Sequence, residues 1–335
     1  MCLREKVKND CRVEGQINYS HCLTINQQCL VMENPNTTQK IDIICAGEAL
    51  IDLVADSNGK FDSCYGGAVY NLARALALQG VGVGYLNPFS VDRHGQQLRE
   101  QLVRSGASAL DATAVQEPTS LALASIDTFG KAAYTFYREG IADRATSSAR
   151  LNELSQSANA KLVCTGCLAL SPLDADVYLP WLAQQKRLGK TVAIDINVRA
   201  IVMKDQTAYK ANIHQALQYA DIIKASDDDL AYLQISAPDL LSQTSAKLFL
   251  LTLGSQGAQL LTREGVSLAC QAPQCLAVID TVGAGDCFFA GFLAHWLRDS
   301  NNMQAALDHA VRAASINCMR LGCQPATWDE VMALS

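Results

Sequence analysis

Residues 278–297 read VIDTVGAGDCFFAGFLAHWL. A small-residue turn, Gly283-Ala284-Gly285, is followed at once by a carboxylate, Asp286, and then by an apolar run of helical character. Glycine and alanine leave room for an anion to approach backbone N–H groups, and a helix that starts there adds the positive end of its dipole. A carboxylate beside such an anion hole has two readings. It is a first-turn acidic residue that favours the helix by less than about 1 kcal/mol, or it is a general base that takes a proton from a hydroxyl attacking phosphorus. On this stretch alone both stay open.

Working outward, strands and helices alternate. Short β-branched or apolar runs at 41–46, 81–86, 160–170, 191–197, 220–226, 247–261 and 266–273 predict strands. Helical spacing predicts helices within 63–80, 94–106, 174–189, 209–220, 227–235, 286–297 and 303–319. Residues 120–138, SLALASIDTFGKAAYTFYR, alternate β-formers about a turn and predict an antiparallel hairpin outside the main sheet. The pattern implies an α/β fold, a doubly wound sheet with helices on both faces. Ligands in such folds bind at the carboxyl ends of the strands.

The chain has 335 residues with 33 acidic against 27 basic, a net charge of -6, and no Lys/Arg cluster. That argues against nucleic acid or an anionic membrane as a partner, and no apolar run reaches the roughly 20 residues of a membrane span. The 13 cysteines are scattered and odd in number, and the first residues are polar, so reduced thiols and a cytoplasmic location are expected. CTGC at 164–167 lies in an apolar run and reads as two cysteines ending a buried strand. Residues 1–40 lack periodicity and read as an extension of unknown role. Their Cys2, Cys11, Cys22, Cys29 and His21 fit no zinc spacing. Neither G-x-x-x-x-G-K-[ST] nor G-x-G-x-x-G occurs, which argues against a P-loop enzyme and a dinucleotide dehydrogenase.

From residue 41 to the carboxyl end the sequence resembles the PfkB, or ribokinase-like, carbohydrate kinases, closest in look to fructokinases. DTVGAGD (280–286) with CFFAGFL resembles that family's carboxyl-terminal signature, and GGAVYNLARALALQG (66–80) its amino-terminal one. GEALIDL (47–53), NPFSVDRHGQQL (87–98) and LLTLGSQGAQLL (250–261) follow the family's order. The resemblance implies a ribokinase-like three-layer α/β/α fold, with a small β lid from about 50–66 and 118–140 that covers the sugar and often pairs with a second subunit as a homodimer. It implies Asp286 as the base and the amides of Gly283, Ala284 and Gly285 as the anion hole. It assigns Asp52, Gly66, Gly67 and Asn71 to sugar hydroxyls, and Asn197, Lys224, Thr252, Gly254, Gly257 and Asn317 to the nucleotide. Arg138 and Arg199 join the substrate group, since DINVR (195–199) and YTFYREGIADR (134–144) resemble the fructokinase, 2-keto-3-deoxygluconate kinase and aminoimidazole riboside kinase branch.

In KASDDDL (224–230) the family's usual Asn-x-x-Glu is replaced by Ser226 and Asp229, whose shorter side chain bears on an indirect contact to metal. SDDD also reads as a helix N-cap with acidic first-turn residues. Mg²⁺ and ATP are the implied cofactors. A monovalent cation such as K⁺ is a common family activator, held by loops near Asp280 and the last helices. The expected reaction is phosphorylation of a primary hydroxyl of a small-molecule sugar, fructose first, then a 2-keto-3-deoxy sugar acid, then an aminoimidazole riboside. A non-catalytic sugar- or nucleotide-binding regulator is the alternative of a different class. The intact Gly-Ala-Gly and Asp286 count against it.

Overall fold

Apolar β-branched runs set the centre of the molecule. Ile43, Ile44 and Cys45 have no exposed surface, nor have Val192, Ala193 and Ile194, as parallel strands covered on both faces require. The computed structural model describes residues 40–55, 60–126, 132–273 and 277–334. In chain order the strands are β1 (Ile43–Cys45), β2 (Leu50–Ala55), β3 (Phe61–Gly66), β4 (Val83–Tyr85), β5 (Ser108–Ala109), β6 (Ser120–Ile126), β7 (Ala132–Tyr137), β8 (Leu162–Gly166), β9 (Thr191–Asp195), β10 (Ile222–Ser226), β11 (Leu248–Thr252), β12 (Ala258–Thr262) and β13 (Ser267–Cys270). The α-helices are α1 (Ala68–Leu78), α2 (Arg93–Arg104), α3 (Ser148–Ala158), α4 (Ala175–Arg187), α5 (Gln206–Leu217), α6 (Asp227–Leu233), α7 (Ala237–Ser242), α8 (Ala284–Arg298), α9 (Met303–Cys318) and α10 (Trp328–Ala333).

Nine strands form the main sheet in the order β13-β12-β11-β10-β9-β8-β1-β4-β5. Pairing is parallel from β5 to β11 and antiparallel at β12 and β13. One face packs on α1, α2, α8 and α9 through Leu72, Leu76, Leu98, Phe289 and Leu307. The other packs on α3, α4, α5 and α7 through Leu151, Trp181, Ile213 and Leu240. This is the expected three-layer arrangement. Gly291 on α8 lets α9 come close, because a Cβ there would stand 2.9 Å from that of Ala313.

Four strands form a second, small sheet in the order β3-β2-β6-β7. β6 and β7 pair antiparallel, Leu121 with Tyr137 through Ile126 with Ala132. The turn around Thr128 to Lys131 and the cysteines of the first 40 residues lie outside the described residues. Leu53, Tyr65, Leu121 and Phe136 pack the small sheet onto the core.

The run 247–261, expected as one strand, is two antiparallel strands, β11 and β12, joined by a turn in which Gly257 has φ 91. That angle costs glycine little, and a Cβ would collide with the carbonyl of Cys270. Cys164 is buried in β8, and Cys167 follows that strand in a single 3₁₀ turn. Among the described residues no helix is long and apolar enough to cross a membrane.

α10 is fixed by a buried imidazole. His309 lies 4.3 Å, centroid to centroid, from Trp328, and its Nε2 is 2.7 Å from Oε1 of Gln79. Burial, with His295, Arg298 and Arg312 nearby, pushes its pKa down to about 4. The unfolded chain, with an ordinary imidazole near 6.5, therefore binds a proton that the folded ring refuses. Stability is expected to fall as pH drops from about 6.5 to about 4. Melting temperatures followed across that window test this. His309→Gln should show a shallower decline, and an unchanged slope would contradict the assignment.

Candidate functional site

The site is built on the first turn of α8. Gly283, its N-cap, has φ 75, and a Cβ there would collide with Sγ of Cys323. Glycine is thus required both for the angle and for the space. No side chain caps α8. The N–H of Ala284 donates to the carbonyl of Thr281 at 3.1 Å. This corrects the expectation that all three turn amides are on offer, for one is already consumed locally. The N–H groups of Gly283, Gly285 and Asp286 make no backbone hydrogen bond among the described residues, and the helix dipole adds to the positive potential there.

Asp286 is 7% exposed, and its Oδ2 accepts a hydrogen bond from Nδ2 of Asn71 at 3.0 Å. Burial lifts its pKa to about 6, while Asn71, Lys224 and Arg199 pull it back. A carboxyl so poised is largely ionised at neutral pH yet basic enough to take a proton. Asn71 lies one turn into α1, which packs against α8 in the same core cluster. Its Oδ1 is buried with no hydrogen-bond partner.

Lys224, on β10, reaches the same turn: a Cβ on Gly285 would stand 2.9 Å from its Nζ. The ammonium lies 3.0 Å from the carboxylate of Asp195 at the end of β9. Burial disfavours its charge, but Asp195, Asp229 and Asp286 together outweigh that and raise its pKa. A buried cation thus stands beside the proposed anion hole, paired with Asp195.

On the small sheet, Asp52 of β2 faces Gly66 of β3 so closely that any Cβ at Gly66 would strike its carboxylate. Burial raises Asp52 to about 6, and Arg199 lowers it. Gly66 leads into Gly67, the N-cap of α1, at φ 103. Arg199 follows β9 and makes no ion pair within 4 Å among the described residues. Its guanidinium donates to the carbonyl of Val198, and Cys167 first, then Asp286, Glu48 and Asp195, raise its pKa against the effect of burial.

Arg138 keeps other company than its expected role as a substrate residue requires. It pairs with Asp143 at 3.2 Å and stands 4.0 Å from Asp174, at the root of the small sheet. Arg144 joins through Asp174 at 2.6 Å. With two carboxylates against it, Arg138 has little charge left for a ligand.

Of the residues expected at the nucleotide, Asn197 takes a left-handed conformation, φ 41, two residues after the end of β9. Thr252 ends β11, with its hydroxyl 3.4 Å from the carbonyl of Ala225. Gly254 and Gly257 bound the turn after it. Asn317 is fully buried. It donates to the carbonyl of Val282 at 2.8 Å and accepts from the N–H of Gln324 at 2.9 Å. Its amide thus clamps the loop before α8 to the loop after α9. Asp280 belongs to the same clamp and accepts from the N–H groups of Val282 and Gly322.

Asp229 closes a capping box with Ser226, and its second oxygen accepts from the N–H of Val198 at 2.7 Å. Each oxygen already serves a backbone amide, so its first task is to hold the β10–α6 and β9 loops together. Among the described residues no three acidic, His or Cys side chains cluster as metal ligands.

Sequence reasoning passed over Glu48, which is 2% exposed and lies within the electrostatic reach of Arg138 and Asp143. The signal was present: an acidic residue inside the otherwise apolar run IICAGEALI, residues 43–51.

Comparison with known proteins agrees with this architecture. A fructokinase of Rhizobium leguminosarum bv. trifolii is 30% identical over 268 residues, 77% of this chain and 80% of that protein. A fructokinase of Klebsiella pneumoniae is 29% identical over 259 residues, 74% and 82% of the two chains. The crystal structure of fructokinase with bound ATP from Xylella fastidiosa superposes with a TM-score of 0.77 at 24% identity, covering 88% of this chain and 98% of that one. Aminoimidazole riboside kinase from Salmonella enterica, complexed with aminoimidazole riboside and an ATP analog, gives 0.73 at 21% identity, covering 87% and 98%. The pfkB family carbohydrate kinase profile matches residues 40–330, and with the α8 turn, the Gly66-Gly67 segment and the two-sheet architecture all inside that span, the chain belongs to the pfkB family of carbohydrate kinases.

Proposed function

We propose that the protein transfers the γ-phosphoryl group of ATP to the primary hydroxyl of fructose, giving fructose 6-phosphate and ADP. The observation that carries this is the buried, Asn71-bound carboxylate of Asp286 on the turn where the amides of Gly283, Gly285 and Asp286 make no backbone hydrogen bond among the described residues. In the proposed step Asp286 accepts the proton of the attacking hydroxyl. The oxygen bonds to the γ-phosphorus in line with the departing ADP oxygen. The amides of Gly283, Gly285 and Asp286, with the helix dipole and Lys224, stabilise the charge on the transferring group. Asp52 and Asn71 accept sugar hydroxyls, and Gly66–Gly67 lets the ring approach the backbone. Thr252, Gly254 and Gly257 border the nucleotide, and Asn197 faces it.

Mg²⁺ enters on the triphosphate as part of the substrate. Bound there it would supply neutralisation of phosphate charge, and Asp229, whose two oxygens hold backbone amides, would reach it through water. The small sheet serves as the lid. Its outer strands β3 and β7 carry Phe61 and Tyr137, 46% and 56% exposed, and they form the homodimer contact in this reading.

Fructose is favoured because two of the relatives above are fructokinases and because Arg138 is already neutralised by carboxylates. A second reading rests on Arg199: among the described residues its guanidinium has no ion-pair partner within 4 Å, and it suits the carboxylate of a 2-keto-3-deoxy sugar acid. ADP release measured with fructose, 2-keto-3-deoxygluconate, aminoimidazole riboside and ribose separates the readings. Fructose should give the highest kcat/KM. A keto acid in first place would select the second reading, and no sugar-dependent release would remove both.

The pH dependence follows from Asp286. A base with a pKa of about 6 must be ionised, so kcat/KM with fructose should fall about tenfold per unit below pH 6. A flat profile down to pH 5 would contradict that role.

A further inference from the structure

Glu48 sits where the chain leaves β1 for the small sheet, and nothing in the mechanism above uses it. Its Oε1 accepts the N–H of Ala68 at 2.7 Å, the first helical residue of α1. That amide would otherwise be an orphan of the helix terminus, because the N-cap is Gly67 and offers no side chain. The backbone carbonyl of Glu48 packs against the same turn, so a Cβ on Gly67 would collide with it. The first helical hydrogen bond, from Asn71 N–H to the carbonyl of Gly67 at 2.8 Å, starts from this fixed point. Asn71 in turn donates to Asp286 at 3.0 Å. The second oxygen of Glu48 is buried without a hydrogen-bond partner; burial raises the pKa of the carboxyl, and the positive charge of Arg138 opposes that rise.

We propose that Glu48 is a positioning residue: its carboxylate fastens the first amide of α1, and so holds the Gly66–Gly67 turn and Asn71 in register with Asp286. A carboxylate suits the place because it is a strong acceptor and complements the positive end of the helix. The residue acts through the Ala68 amide on the Gly66–Gly67 turn and Asn71, so its effect falls on the sugar side. The kinetic part of this proposal rests on the sugar kinase reading above. The structural part does not.

Two variants and two readouts separate these parts. Glu48→Gln keeps an acceptor for the Ala68 amide, and Glu48→Ala removes it. With fructose and ATP, Glu48→Ala should lower kcat/KM for fructose by about tenfold to a hundredfold, the scale of a misplaced reacting group, with KM for ATP within about twofold of wild type. Glu48→Gln should recover most of that loss. Hydrogen exchange of residues 66–71 supplies the second readout: the Ala68 amide should lose protection in Glu48→Ala and keep it in Glu48→Gln. A merely structural role would lower the melting temperature of Glu48→Ala while leaving the fructose and ATP constants of the folded protein alike, and that result overturns the proposal. Unchanged Ala68 protection in Glu48→Ala overturns it as well, including in a protein that turns over no sugar. Wild-type inactivity with every sugar, combined with lost protection in Glu48→Ala, would overturn the kinase reading and support the positioning of α1.

Discussion

Asp286→Asn is expected to lower kcat by about 10²–10⁴-fold, the usual contribution of a positioned proton acceptor, while leaving ATP affinity within about twofold. The substitution keeps the volume of the side chain and the possibility of a hydrogen bond to Asn71, but an amide accepts no proton at neutral pH. The amides of the α8 turn and Lys224 remain, so binding of the triphosphate survives. ATP binding by calorimetry beside turnover with fructose checks both halves. Retained turnover would reduce Asp286 to a first-turn acidic residue. Lost ATP affinity would mean that it acts on the nucleotide rather than on the hydroxyl.

Lys224→Met is expected to produce the largest loss of stability. Lys224 is the buried cation faced by Asp195, Asp229 and Asp286. Removing one partner of a buried pair leaves an uncompensated charge and costs about 3–5 kcal/mol. At roughly 2–4 °C per kcal/mol for a domain of this kind, the melting temperature should fall by roughly 6–20 °C. The sign of the kinetic effect is also fixed. Lys224 lowers the pKa of Asp286, so its removal should shift the acid limb of the kcat/KM profile to higher pH. A change in melting temperature below about 1 °C would show that the pair is not buried in solution.

Much of the architecture was legible because its causes are local. Buried parallel strands read as unbroken apolar runs, and the α8 turn announces itself by small residues before a carboxylate. α3 escaped notice because its buried apolar residues, Leu151 and Leu154, are too few to mark a period. α7 and α10 are 6 residues each, too short for one. The division of 247–261 turned on the backbone angle of Gly257, which a β-forming sequence on both sides conceals.

The site was legible in residue type and less so in partners. Nothing in the sequence tells that the Ala284 amide is spent on Thr281, or that Asn317 is sealed between two loops. Arg138 meets Asp174 across 36 positions, so its neutralisation is a product of folding alone. Glu48 is the reverse case. Its oddness was visible, a carboxylate in an apolar run, but its use depends on the amide of Ala68, 20 residues away.

The most direct test is to identify the product formed from ATP and D-fructose by ³¹P and ¹³C NMR. Direct transfer to a hydroxyl deprotonated by Asp286 predicts one sugar phosphate per ADP, with the phosphate on the primary carbon C6. ADP formed with free inorganic phosphate and unmodified fructose, or phosphate on a secondary carbon, would contradict it.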